Sequence, residues 1–254
     1  MRHRSIEILH QDDEIVVIDK PAGLPCVPDR SGRGETVLSV LARPAHSPVG
    51  EPLRLVHRID RDTSGVLLLA RTSDSQRALT RQFMDRTVAK TYLAIVRGSP
   101  ADSAGRIDAP VGEMRGNLVR VCVNPRRGKP AVTDWEVLER FVGYTLLRCR
   151  PLTGRQHQIR LHMQIAGMPL AVDDLYGGSS GILLSSFKHD YKLGRGREER
   201  PLIARLTLHA ESIEFDHPSH GKRMRFEAPL PKDFRATLNQ LRKYASSGPL
   251  SRPG

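Results

Sequence analysis

The chain has 254 residues, 39% of them apolar, which is enough for one large domain or two small ones with a buried core. It carries 40 Lys and Arg against 28 Asp and Glu, a net charge of +12 that suits a polyanionic partner such as RNA, DNA or an anionic membrane surface. Three cysteines, Cys26, Cys122 and Cys149, lie far apart and odd in number, which argues against a disulfide framework or a zinc knuckle and for a reducing compartment.

Arginine outnumbers lysine 32 to 8, which favours phosphate forks and base stacking, although a genome-wide codon bias would give the same excess. No long apolar segment follows Met1-Arg2-His3-Arg4-Ser5, so no signal peptide or membrane span is expected and the cytoplasm is the default. Ile6 to Ile18 ends in the apolar run Ile15-Val16-Val17-Ile18, a strand that enters a turn, Asp19-Lys20-Pro21-Ala22-Gly23-Leu24-Pro25, fixed by two prolines and a glycine. Lys20 there is either a phosphate contact or a solvated turn lysine. Thr36 to Ala42 reads as a short helix and Pro44 to Pro52 as a loop.

Leu53 to Val56 and Val66 to Ala70 are apolar runs that read as buried strands. Between them lies the charged stretch His57-Arg58-Ile59-Asp60-Arg61-Asp62-Thr63-Ser64-Gly65. A loop held by rigid strands is a favoured place for chemistry. Arg58 and Arg61 flank Asp60, a setting that favours the charged form of an acid. Read without context, the same stretch is a turn held by ion pairs.

Ser73 can cap a helix to about Arg86, with Leu79, Phe83 and Met84 on its apolar face. Val88 to Gly98 alternates as a strand, and Tyr92 on it is either a core aromatic or a stacking platform for a base. Arg106 to Leu152 reads as strands and turns, including 117–124, 131–141 and 144–150. Trp135 is expected in the core, and Arg126, Arg127 and Lys129 form a basic turn that touches RNA backbone or only solvent.

Thr153 and Gly167 bracket a helix with Ile159, His162, Met163 and Ala166 on one face and Gln156, Arg160 and Gln164 on another. His157 and His162 are five apart, not the four that stacks two ligands, and no Glu follows the first, so no zinc site is expected. Residues 177 to 201 read as a long basic surface loop bearing Arg195, Arg197 and Arg200, which either contacts RNA or is a partly ordered insertion. Strands are expected at 206–210, 213–215 and 224–228. A basic amphipathic helix is expected from Asp233 to Ala245, with Phe234, Leu238, Leu241 and Tyr244 inward, and residues 246–254 form a disordered tail.

Three ordered strings carry a resemblance to the RluA-type pseudouridine synthases. The 57–65 stretch resembles their His-Arg-Leu-Asp-x-x-Thr-Ser-Gly-Leu motif, with Ile59 for the Leu and Val66 after the Gly. Lys90-Thr91-Tyr92 resembles their Lys-x-Tyr motif, and residues 153 to 162 their Thr-Gly-Arg-x-His-Gln-Ile-Arg-x-His motif. The turn after Asp19, the string Asp173-Asp174-Leu175-Tyr176-Gly177 and the Leu206-Thr207-Leu208-His209-Ala210 segment extend it, so that it runs from about Ile6 to Pro231. Many members carry a small RNA-binding module before the catalytic domain, and the chain is expected to lack it.

The resemblance implies isomerisation of uridine to pseudouridine in ribosomal or transfer RNA, a redox-neutral reaction for which neither cofactor nor metal is expected. It makes Asp60 the nucleophile or ribose-activating base, Tyr92 the residue against the target uracil, and Arg160 the partner of Asp60. Arg58 is the candidate to fill the stack vacated by the flipped base, and His57, Thr63, Arg155 and Lys20 are further candidate substrate contacts. The expected architecture is one α+β catalytic domain, residues 1–245. Its core is a mixed, mostly antiparallel sheet flanked by helices, with the active cleft across the sheet, in a monomer.

Three other readings compete. An RNA-binding protein on the same scaffold would have no need of Asp60, Tyr92 and Arg160 together. A protein-kinase fragment fails because the acid stands one residue late and no Asn follows at the required offset. A glycosidase using Asp60 and Asp62 suits a less basic protein, and absence of RNA binding would revive it.

Overall fold

The computed structural model describes residues 6–28, 32, 34–43, 52–114, 117–188, 190–193 and 196–246. Its strands and helices are, in order, β1 (Glu7–Gln11), β2 (Ile15–Lys20), α1 (Val37–Leu41), β3 (Arg54–Leu55), β4 (Ser64–Ala70), α2 (Ser73–Met84) and β5 (Ala89–Arg97). There follow β6 (Ala104–Asp108), β7 (Val111–Met114), β8 (Asn117–Val123), β9 (Val132–Phe141), β10 (Tyr144–Pro151) and α3 (Gln158–Ile165). The last are β11 (Leu208–Asp216), β12 (Arg223–Glu227) and α4 (Lys232–Tyr244). The chain divides into two compact units, Met1–Tyr92 with His209–Pro229, and Leu93–Leu208 with Leu230–Gly254.

The first unit has the strand order β1-β2-β4-β11, with β12 on β11 and β3 on β4. Its apolar runs are continuous because both faces of the sheet are covered. Side chains alternate along a strand. Val16, Ile18, Leu67 and Leu69 pack with Val37, Val40 and Leu41 of α1 on one face. Ile15, Val17, Val66 and Leu68 pack with Leu79 of α2 and Phe215 on the other. Along the side of β4 away from β2, β11 pairs with Ser64 and Gly65, and β3 with Leu69 and Ala70. A Cβ at Gly65 would fall on the backbone of Ala210, and its φ of +113° also suits glycine alone. The stretch from His57 to Thr63 leaves β3 and re-enters at β4, as the sequence predicts.

The second unit holds the Leu93–Arg97 part of β5 with β10, β9 and β6 in that order, the separate hairpin β7–β8, and helices α3 and α4. Phe234, Leu238 and Leu241 of α4 pack on Ile95, Phe141, Tyr144 and Leu146. Among the ladders with described register only β4–β11 is parallel. The mixed α+β, mostly antiparallel class is therefore the observed one. No helix among the described residues is long and apolar enough to cross a membrane.

Several boundaries differ from the sequence reading. Thr72, not Ser73, caps α2: its hydroxyl accepts from the Ser75 N–H and the Ser75 side chain answers, a reciprocal box. Helix α3 starts at Gln158, because the Thr153 hydroxyl is used elsewhere. It accepts from the Val132 N–H and donates to Gln158 Oε1. Residues Gln158 to Met163 are all buried, so α3 has no polar outer face there. The 177–201 segment is anchored rather than loose: Ile182 pairs with Ile203, and Ile182 and Phe187 lie in the core. Arg195, residues 44–51 of the expected loop, and 247–254 of the expected tail lie outside the described residues. Tyr244 is only half-buried.

Candidate active site

The Asp60 loop is tied down from several directions within the first unit. Ile59 is buried in the cluster beneath α1, and its carbonyl accepts from Cys26 Sγ at 3.4 Å. The Arg61 carbonyl accepts from the Gly23 N–H at 2.8 Å. The Thr63 N–H donates to the Asp60 carbonyl at 3.2 Å, closing a turn over residues 60–63. Ser64 Oγ bonds His209 Nδ1 at 3.0 Å, and His209 Nε2 faces the Ala228 carbonyl at 3.3 Å. That pairing makes Ser64 the donor and His209 the Nε2–H tautomer.

Lys20 is neither the phosphate contact nor the solvated lysine expected from sequence. It is fully buried, and its ammonium donates to the carbonyls of Pro21, Leu24 and Arg61, each at 2.9 Å. A charge can be buried when its donors are matched, and three carbonyls match the three N–H bonds of an ammonium. Lys20 thus clamps the Gly23 turn to the Asp60 loop.

His57 is likewise tied into the frame. The Leu68 N–H lies between the parts of β4 covered by β3 and β11, and it donates to His57 Nε2 at 3.0 Å. Phe83 of α2 stacks on the ring, with centroids 4.7 Å apart. Burial, aided by the Lys90 charge, pushes the imidazole down to about 3, so it is neutral. Thr63 is also buried, and its hydroxyl meets no hydrogen-bond partner. Arg58 is exposed, and Arg61 turns its guanidinium to Asp62 at 3.0 Å.

Tyr92 is half-buried against the cluster that contains Ile59 and Cys26. Burial raises its phenol above the ordinary value, and the Asp60 carboxylate nearby raises it further, so the ring stays neutral. Lys90 lies two residues before it on β5, where burial lowers the amine to about 8.

Arg160 and Arg155 belong to the second unit. The buried Arg160 guanidinium forks onto Asp173, Nε to Oδ2 and Nη2 to Oδ1, both at 2.8 Å. Asp173 Oδ1 also accepts from the N–H groups of Leu175 and Tyr176. The Tyr176 ring lies 5.1 Å from the Arg160 guanidinium carbon and 5.5 Å from that of Arg120. Tyr176 Oη accepts from the Val121 N–H, which leaves its own proton for His157 Nδ1 at 3.0 Å. Arg155 Nε donates to the Pro130 carbonyl at 3.1 Å. Among the described residues no group of His, Cys, Asp and Glu is arranged to hold a metal ion.

Sequence reasoning gave Asp173 no task, although it sets the plane of the Arg160 fork. Its position thirteen residues downstream in an irregular segment offers no periodicity to read. Tyr176 was visible only as part of a matched string.

Residues 14–165 match the model of the RNA pseudouridylate synthase family. The ribosomal large subunit pseudouridine synthase D of Nitrosomonas europaea is 39% identical over 98% of this chain and 68% of its own length. The ribosomal large subunit pseudouridine synthase C of Escherichia coli is 40% identical over 92% of this chain and 70% of its own. A solved structure, human RNA pseudouridylate synthase domain containing 4, superposes with a TM-score of 0.70 at 30% identity, covering 93% of both chains. The motifs, the sheet and the relatives agree, and the chain belongs to the RNA pseudouridylate synthase family as an enzyme of that kind.

Proposed function

We propose that the protein converts specific uridines of large-subunit ribosomal RNA to pseudouridine, with Asp60 as the catalytic aspartate. Two relatives named for that ribosomal subunit support the substrate class. The observation that carries the catalytic reading is the clamped loop that holds Asp60 near a neutral, half-buried Tyr92.

The reaction breaks the bond from ribose C1′ to uracil N1 and forms one from C1′ to C5. The C5 proton is lost and N1 gains one, so no redox partner is required. Asp60 attacks the ribose or the base, or activates the ribose, and the resemblance makes Arg160 the cation that aims it. Asp173 fixes the Arg160 plane. Tyr92 holds the freed ring by stacking. Because its phenol is neutral, it serves as a platform or proton donor and not as a standing base. Arg58, exposed beside Asp60, fills the gap left when the target base leaves its stack, a step that costs a few kcal/mol. The enzyme acts as a cytoplasmic monomer.

The test is release of tritium from uridine labelled at C5 in bulk cellular RNA. Wild type releases it from the ribosomal fraction. Asp60→Asn releases none above background and keeps RNA affinity within about threefold, since one neutralised acid leaves the phosphate contacts in place. Wild-type turnover by the variant would remove Asp60 from the chemistry. Release from transfer RNA alone would change the substrate. Tight RNA binding without release by wild type would leave a binding protein on this scaffold.

A further inference from the structure

The basic C-terminal helix has no task in the reaction just proposed. Lys232, Arg235, Asn239 and Lys243 follow one another at spacings of three and four, so they line one side of α4, and all four are exposed. The only acid of α4, Asp233, is taken by a fork from Arg205, with both contacts at 2.7 Å. Arg242 is neutralised on another side of the helix by Glu139. The stripe from Lys232 to Lys243 therefore presents cations about 16 Å in length, at 1.5 Å per residue, without a carboxylate among them.

A further cation joins its end. Lys188, just beyond the helical turn Leu184–Ser186, places its ammonium 4.6 Å from the centroid of the Tyr244 ring. Lys243 places its own 5.1 Å from the same ring. Among the described residues neither lysine pairs with a carboxylate. Tyr244 itself is held by packing against the core of the second unit. A π-face attracts ammonium groups and holds together two cations that would otherwise repel. The hydrogen bond from Lys243, with the charge of both lysines, also lowers the phenol.

We propose that this stripe, Lys232, Arg235, Lys243 and the Tyr244-held Lys188, binds the phosphodiester backbone of the substrate RNA outside the target nucleotide. The arrangement suits phosphates rather than bases. The Tyr244 ring already serves the two ammoniums, and beyond the bond to its phenol each keeps N–H donors for oxygen acceptors. The length fits several successive phosphates at about 3.4 Å of helix axis per strand. The proposal rests on the reading of RNA as substrate.

The test uses the full chain and a large-subunit ribosomal RNA transcript. Lys188→Gln, Lys232→Gln and Lys243→Gln are combined in one variant and the same three changes to Arg in another. Each lost phosphate contact removes about 0.9 from the slope of log affinity against log salt, or about 0.7 on a single strand. The glutamine variant should lose about two units of slope and gain roughly tenfold in KM, with kcat within about twofold of wild type. The arginine variant should restore both. An unchanged slope in the glutamine variant would overturn the proposal, as would a fall in kcat that arginine does not rescue. A wild type that turns over no RNA would sink the catalytic reading instead, and wild-type turnover is read in the same experiment.

Discussion

His57 stands three residues before Asp60, and its imidazole is committed to the sheet. One ring nitrogen accepts the Leu68 N–H in a gap of the β4 ladder, and Phe83 covers a face. The cost of charging it there shows in its fall from 6.5 to about 3. Above pH 6.5 the ring is neutral folded or unfolded, and its contribution is fully present. Between 6.5 and 3 the unfolded chain takes up a proton that the folded chain refuses, so stability falls with pH by on the order of 1.4 kcal/mol per unit. Below about 3 both states are protonated and the loss stops. Chemical denaturation at pH 7 and pH 5 should show wild type losing roughly 2 kcal/mol more than His57→Gln. Equal losses would mean that the imidazole is charged in the fold. Arg160 is the opposite case: Asp173 meets its buried guanidinium with two parallel bonds, and the pair is set by the fold, not by neighbours in sequence.

The Asp60 loop owes its shape to the elements around it more than to its own residues. Replacing Lys20 with Met keeps the length of the side chain but leaves the carbonyls of Pro21, Leu24 and Arg61 without their buried donor. Lys20→Met should destabilise the fold by about 3 kcal/mol and lower kcat more than it raises KM. Thermal unfolding and steady-state kinetics check both, and a variant of wild-type stability would mean that water replaces the ammonium. This separates what was legible in the sequence from what was not. The apolar runs of β2 and β4 and the loop between β3 and β4 could be read because they are local patterns. Asp60, Tyr92 and Arg160 could be named because they stand in matched strings. The burial of Lys20 was not legible, because a polar residue in a turn shows its exposure only once distant backbone closes over it. The start of α3 was misplaced for the same reason: the Thr153 hydroxyl answers to Val132, twenty-one residues upstream.

At the scale of the whole molecule, the +12 charge predicts affinity for RNA that falls steeply with salt. Six phosphate contacts would give a log–log slope of about −5, and filter binding from 50 to 200 mM salt measures it. A flat response would contradict an electrostatic footprint. Neither unit is continuous in sequence: each closes only with a segment from the later part of the chain. The β4–β11 ladder joins Ser64 to His209, 145 positions apart. A ribosome adds about 5–20 residues per second, so the strand that ends the Asp60 loop waits for roughly ten seconds before its parallel neighbour emerges. During that interval part of one edge of β4, including Gly65, is open to pairing with another nascent chain. The hazard of aggregation therefore falls on the growing polypeptide. Slowed elongation would lengthen it, whereas the finished enzyme, with that edge covered, is spared.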